Sequence, residues 1–258
     1  MDELIDFEIC AVSLSDVGCV RIENEDVASF TKVFYEKSKS YLYIGAIADG
    51  VGGNGNGYLA ARSAIDYIMH RFNYYKKNIH KQLIDIFKGA NETVCKLNSN
   101  IYSTKNIACT CVCVVVSGVD LYWASIGDSR LYKRSNNDFV QLSDDHTLVN
   151  DLFKKGKINF EEKINHPKRN VITRAFGIKA KTNFDSQNLK NQFSNGDKLL
   201  LCSDGLYTYL KDEEMDLFLD LSDIHLSATL MIDLAKQRGG RDNISIVIIA
   251  KNFRQIEL

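Results

Sequence analysis

The chain has 258 residues, enough for one large domain or two small ones and for a core that needs no covalent staples. Its 45% hydrophobic and 25% charged content is that of an ordinary globular protein. A net charge of −1 removes any global argument for nucleic acid or an anionic membrane as partner.

The N-terminal MDELIDFEIC is acidic where a signal peptide would be basic. No apolar stretch approaches the ~20 residues needed to span a bilayer. Leu4 to Leu14 predicts a strand, and Ser15 to Glu25 a polar loop. Asp26 to Tyr35 and Tyr41 to Ala48 predict two strands around a charged turn, Glu36 to Ser40. ADGVGGNGNG follows as a glycine-rich loop. Apolar residues at helical spacing predict helices over Tyr58 to Tyr75 and His80 to Tyr102.

Three strands come next, Ala108 to Ser117, Leu121 to Ile126 and Arg130 to Ser135. The links Gly118 to Asp120 and Ser135 to Asp138 are hairpin-length, which predicts antiparallel pairing. His146 to Lys155 predicts a short helix, and Gly156 to Lys168 an exposed flap without strong periodicity. Val171 to Phe176 and Lys198 to Cys202 read as strands, the second after a turn at Asn195 to Asp197. Asp212 to Leu221 and Asp223 to Arg238 read as helices, and Ile244 to Ala250 as a buried closing strand. Hairpin-linked strands alternating with helix pairs predict an α+β layered sandwich. No composition break or internal repeat divides the chain.

The seven cysteines form no CxxC pair. Cys109, Cys111 and Cys113 alternate in ACTCVCVVV, so they share one strand face and read as small core residues. This usage fits a reducing, cytoplasmic compartment.

Five acidic stations punctuate the chain: NED (Asn24 to Asp26), ADGVGG (Ala48 to Gly53), GDSR (Gly127 to Arg130), SDG (Ser203 to Gly205) and RDN (Arg241 to Asn243). Any single DG or DN is more often a turn than a ligand. Asp49, Asp204 and Asp242, however, each stand at one end of an apolar strand. Gathered without cations they would repel and drift toward protonation; Mg²⁺ or Mn²⁺ would remove that cost. Arg21 lies four residues before Glu25 in the same loop, where it suits a bidentate phosphate clamp or a plain surface role.

SDVGCVRIENED, AIADGVGG, SDDHTLV, WASIGDSRLY, NVITRAFG, LLCSDGLY and GGRDNISIVII together resemble the protein phosphatase 2C family of metal-dependent Ser/Thr phosphatases. The resemblance runs from about Ile9 to Ala250, over nearly the whole chain, and is to the compact bacterial-type catalytic domain. It implies one domain over residues 1–258, a four-layer α-β-β-α sandwich of two antiparallel sheets flanked by helix pairs, with a flap over about 150–181. It also implies a Mn²⁺ or Mg²⁺ pair, with Asp49 bridging, the Gly50 carbonyl on one ion, and Asp204 and Asp242 on the other. Glu25 would act through water, and Asp26 as ligand or anchor. Asp128 would join Asp204 at a weaker third ion, Arg21 would bind the phosphate, and Asn243 and Thr110 would support the cluster. The reaction expected is hydrolysis of phosphoserine and phosphothreonine by a water bridging two ions. Expected partners are phosphorylated proteins and a cognate Ser/Thr kinase, with no nucleic acid and no membrane. A monomer is expected.

The chain departs from the family at the proton donor. Val51 and Asn54 stand where relatives carry His, and Tyr58 where a Glu is common. His146 is the best remaining candidate by motif, although a packing role suits it better. His70, His80, His166 and His225 suggest nothing catalytic. Cys202 precedes SDG but lacks the phosphate-cradling loop of a cysteine phosphatase. The basic stretch from Asp151 to Lys181 suggests either a solvated loop or a selector for acidic phosphopeptides. Two other readings remain open, a phosphoprotein-binding scaffold and a small-phosphoester hydrolase. A nucleotide-binding loop is disfavoured because GVGGNGNG lacks the GK[ST] ending.

Overall fold

Two antiparallel sheets stack face to face in a computed structural model that describes residues 7–35, 40–51, 56–72, 78–100, 107–136 and 138–253. Sheet one runs in the order β1 (Phe7–Asp16), β11 (Ile244–Phe253), β10 (Lys198–Cys202), β7 (Arg130–Ser135), β8 (Asp138–Gln141). Sheet two runs β2 (Asp26–Tyr35), β3 (Ser40–Val51), β5 (Cys111–Ser117), β6 (Asp120–Ile126), β9 (Asp185–Leu189), with β4 (Ala108–Cys109) paired to the end of β3.

Alternation along the strands sorts side chains into three cores. Leu42, Ile44, Ala46 and Ala48 of β3 meet helices α1 (Asn56–Arg71) and α2 (Ile79–Asn100) through Ala60, Ala64, Ile68, Leu83, Phe87 and Val94. Ile244, Ile246 and Ile248 of β11 meet Met215, Leu219, Met231 and Ala235 of helices α6 (Asp212–Leu219) and α7 (Ile224–Gln237). Ile47, Val112, Val114, Leu199, Leu201, Val247 and Ile249 fill the space between the sheets. Each fully buried Val, Leu or Ile contributes roughly 1.5–3 kcal/mol. The result is the expected α-β-β-α order. At Gly45 a Cβ would lie 3.0 Å from Ile249 Cδ1 and 3.1 Å from Val247 Cγ1, so the inner faces of the two sheets touch over a residue without a side chain.

A short helix, α5 (Asp204–Tyr207), follows β10 directly. Helices α3 (Leu148–Lys154) and α4 (Phe160–Asn165) occupy the surface excursion between β8 and β9. Phe160 and Ile164 of α4 are exposed there. None of the seven cysteines is in a disulfide, and Cys109, Cys111 and Cys113 all face the core beneath α1 and α2. Among the described residues no helix is long and apolar enough to cross a membrane.

Several boundaries differ from expectation. β1 continues through Asp16, into the expected polar loop. β3 runs on to Val51, so Asp49 is inside a strand and the glycine-rich loop starts later. The predicted strand from Ala108 to Ser117 breaks at Thr110. Val171 to Phe176 is not a strand; only Ile172 and Phe176 make isolated bridges, to Thr147 and Cys109. β8, β9, α4 and α5 were not expected. α4 starts at a capping box, Asn159 with Glu162, which stabilises a helix too short to show periodicity. The start of the first predicted strand, the turn after Tyr35, residues 52–55 with Asn54, and the ends of both predicted long helices lie outside the described residues.

Candidate active site

Register brings the first two carboxyls together. Asp26 opens β2 directly across from Asp49 of β3. Like charges opposite each other in a ladder destabilise it, more so when buried. Burial pushes Asp26 up to about 7, with the Asp204 and Asp242 carboxylates adding to the rise and the Ser203 and Ser245 hydroxyls opposing it. Asp26 Oδ2 is buried without a hydrogen-bond partner. Burial also lifts Asp49 well above the carboxylate range, helped by Asp26, Asp204, Asp128 and Asp242.

Thr110 fixes the backbone of Asp49. Its Oγ1 accepts from Asp49 N at 3.1 Å, and its own N–H donates to Asp49 O at 2.9 Å. Thr110 Oγ1 also lies 2.7 Å from Ser129 Oγ. This bonding explains the strand break, because Thr110 is committed to Asp49 and not to the β5 ladder. Gly127 has φ +97°, and a Cβ there would lie 2.5 Å from Thr110 Cβ, so only glycine fits. The turn it makes delivers Asp128, which is buried and pushed up to about 8, first by burial and then by Asp204 and Asp145.

The β10 and β11 ends supply the rest. Asp204 opens α5 and rises to about 6, by burial first and then by Asp242, while Arg21 draws it down. A Cβ on Gly205 would lie 2.0 Å from Asn243 O, so the SDG and RDN turns are in backbone contact. Asn243 is the hub: its Nδ2 donates to Val17 O and Glu23 O, each at 3.0 Å, and its Oδ1 accepts from Glu25 N at 2.9 Å. Glu25 O accepts from Gly50 N, and Glu25 Oε1 accepts from Gly57 N at 3.0 Å, at the start of α1. Arg21 Nη2 donates to Asp242 Oδ2 at 2.8 Å.

Asp26, Asp49, Asp128, Asp204 and Asp242 thus fall within one another's fields, with Glu25, Arg21, Thr110 and Asn243 bonded into the same network. Among the described residues, no three His, Cys, Asp or Glu side chains form a ready set of ligands around one point. The donors still fit hard divalent ions, which are commonly held by one or two carboxylates with carbonyls and water completing the shell. An orphaned buried oxygen on Asp26 and four carboxyls forced toward neutrality are what such ions would relieve.

His146 is a packing residue. It is 1% exposed, its Nδ1 accepts from Gly127 N at 3.1 Å, and its Nε2 lies 3.2 Å from Asp185 Oδ2. Burial lowers its pKa, against the opposing pull of the Asp185 carboxylate. In the flap, Lys154 pairs with Asp144 and Lys163 donates to Asn150 Oδ1, leaving Lys155 and Lys157 exposed. The sequence reading missed a supporting layer. Arg130 bonds both oxygens of Asp145, at 2.9 and 2.7 Å, and lies 3.6 Å above the Tyr207 ring. Tyr207 OH donates to Asp128 O at 3.1 Å. Both partners were present in quoted motifs, as the second Asp of SDDH and the Tyr of SDGLY.

The profile of the family described as Protein phosphatase 2C matches residues 24–237. The chain belongs to the protein phosphatase 2C family. The Serine/threonine phosphatase stp of Listeria innocua is 30% identical over 247 residues, covering 93% of this chain and 95% of that protein. Among solved structures, the S. agalactiae serine/threonine phosphatase superposes with a TM-score of 0.85 at 26% identity, covering 94% and 99% of the two chains. The catalytic domain of the serine threonine protein phosphatase PstP, crystallised with 2 manganese ions, superposes with a TM-score of 0.81 at 26% identity, covering 96% and 100%. The pile of carboxyls described above is therefore found in a protein phosphatase 2C fold.

Proposed function

We propose that this chain is a metal-dependent phosphoprotein phosphatase that hydrolyses phosphoserine and phosphothreonine, acting as one catalytic domain. The observation that supports it most is the crowding of Asp26, Asp49, Asp128 and Asp204, each raised by burial and by its neighbours, beside a half-exposed Arg21. Relatives named as Ser/Thr phosphatases, one of them crystallised with manganese, support the same reading.

Asp49, the Gly50 carbonyl, Asp204 and Asp242 would hold two Mn²⁺ or Mg²⁺ ions, with Glu25 and Asp26 supporting them and Asp128 serving a weaker third. Bound there, the ions would supply Lewis acidity and a water activated for in-line attack on phosphorus. Thr110 holds the Asp49 backbone from both sides, and Asn243 holds the 17–25 loop that carries Arg21. Arg21 brings a planar, permanently charged fork for the phosphate oxygens. His146 is buried against Gly127 and Asp185, so the leaving alkoxide takes its proton from water. Phosphorylated proteins would be the substrates, and a cognate kinase the source of them.

The test is hydrolysis of p-nitrophenyl phosphate and of phosphopeptides with Mn²⁺, with EDTA, and by Asp204→Ala. Activity is expected only in the wild type with metal. Activity that survives both EDTA and the substitution would refute the reading. Binding of phosphopeptides without turnover would favour the scaffold reading instead.

A further inference from the structure

Both oxygens of the Asp242 carboxylate accept hydrogen bonds. Oδ1 accepts from Asn243 N at 2.9 Å, and Oδ2 from Arg21 Nη2 at 2.8 Å. The two donors are held very differently. Asn243 is buried, and its side chain is fixed by three backbone groups of the 17–25 loop. Its amide cannot leave Asp242 without dismantling that hub. The Arg21 side chain is 50% exposed, and among the described residues its bond to Asp242 is its single hydrogen bond. Asp242 can therefore accept a new partner most readily at Oδ2, by losing Arg21.

We propose that Arg21 and a divalent cation are alternative partners of Asp242 Oδ2, so that a cation taken by Asp242 turns the guanidinium out toward the phosphate. The proposal rests on the metal-dependent phosphatase reading. Two positive groups on one carboxylate oxygen repel each other. The doubly charged ion is the stronger partner, because a half-exposed Arg–Asp pair contributes little. Once released, the guanidinium stays in the site, since Glu25 and Asp49 also attract it. Linkage makes the effect reciprocal: a phosphate that draws Arg21 off Asp242 tightens cation binding, and the cation tightens phosphate binding. Arg21 would thus report to the substrate side whether Asp242 is engaged.

The full chain can be titrated with MgCl₂ while the signal of the Arg21 Nη2 protons, which carry the bond to Asp242, is followed by NMR and assigned by its loss in Arg21→Ala. Mg²⁺ binding is measured in parallel by calorimetry. The signal is expected to move from a bonded to a solvated position in step with Mg²⁺ binding, and Asp242→Ala, which removes the acceptor, is expected to show the solvated position from the start. Arg21→Ala is expected to bind Mg²⁺ about two- to fivefold tighter, the range for loss of one exposed ion pair. Inorganic phosphate alone is expected to shift the Arg21 signal away from its Asp242-bonded position, to one bonded to phosphate, and to tighten Mg²⁺ binding. An Arg21 signal that stays bonded while calorimetry shows Mg²⁺ saturating would overturn the proposal and leave the phosphatase reading intact. Absence of any calorimetric binding of either Mg²⁺ or Mn²⁺ to the wild type would remove that reading and the proposal together.

Discussion

Asp26, the first residue of β2, faces Asp49 of β3 directly across the ladder and is only 5% exposed. In the unfolded chain both ionise near pH ~4. In the fold Asp26 titrates at about 7 and Asp49 well above its ordinary value, both chiefly through burial. Between those limits the folded chain binds more protons than the unfolded one, so stability falls as pH rises. In EDTA, the thermal midpoint should decline from about pH 4.5 to about pH 7.5, and Asp26→Asn should flatten the decline. Saturating Mg²⁺ should reverse it. A midpoint that rises over this window in EDTA would contradict the account.

Thr110 is predicted to matter through its hydroxyl and not its shape. Thr110→Val keeps the volume but leaves Asp49 N–H buried without its acceptor, at a cost of ~1–3 kcal/mol. Thr110→Ser should recover most of that in urea denaturation. Equal stability of wild type and Thr110→Val would show that the hydroxyl anchors nothing.

Gly205→Ala places a methyl against Asn243 O, where the Cβ distance would be 2.0 Å. Overpacking of this kind costs typically ~1–3 kcal/mol. The variant should also lose Mg²⁺ affinity, because the SDG and RDN turns must separate. Calorimetry on the folded fraction checks this directly.

Two ion pairs should behave oppositely. Arg130 and Asp145 have side chains only 19% and 9% exposed, so Arg130→Ala leaves a buried carboxylate and should cost ~3–5 kcal/mol. The Lys190–Asp120 pair has a lysine 58% exposed, and Lys190→Ala should cost under ~1 kcal/mol. Similar losses for both would mean that burial does not set the difference.

His146→Gln should lower stability by ~1–3 kcal/mol, since the Gly127 N–H loses its ring acceptor. The shape of the kcat/KM pH profile should not change. Disappearance of a limb from that profile would make His146 the proton donor.

Much of the fold was legible because strand alternation is local: β2, β7 and β10 begin and end where the pattern does. What could not be read depends on distant partners. The Thr110 break exists because its hydroxyl is committed to Asp49, 61 residues earlier. β9, with the sequence DSQNL, is a polar edge strand, and polarity hides the alternation that reveals inner strands. Val171 to Phe176 misled in the other direction: Ala175 and Phe176 are buried by packing, not by a ladder. At the site, the carboxyl stations were visible as motifs. The opposition of Asp26 to Asp49 and the hold of Arg21 on Asp242 were not, because register and rotamer are set by the whole sandwich.

The Asn243 hub has a consequence for biosynthesis. The groups it fixes belong to residues 17–25, near the start of the chain, while Asn243 itself lies just before the last strand. β1 has β11 as its partner, and β10 also pairs with β11. A ribosome-bound chain lacking Asn243 and β11 would therefore hold β1 and the Arg21 loop without their anchors. Such long-range closure is slow compared with local contacts. Nascent chains arrested before β11 should be devoid of phosphatase activity, which would switch on only as the C-terminal strand is released to close the sheet.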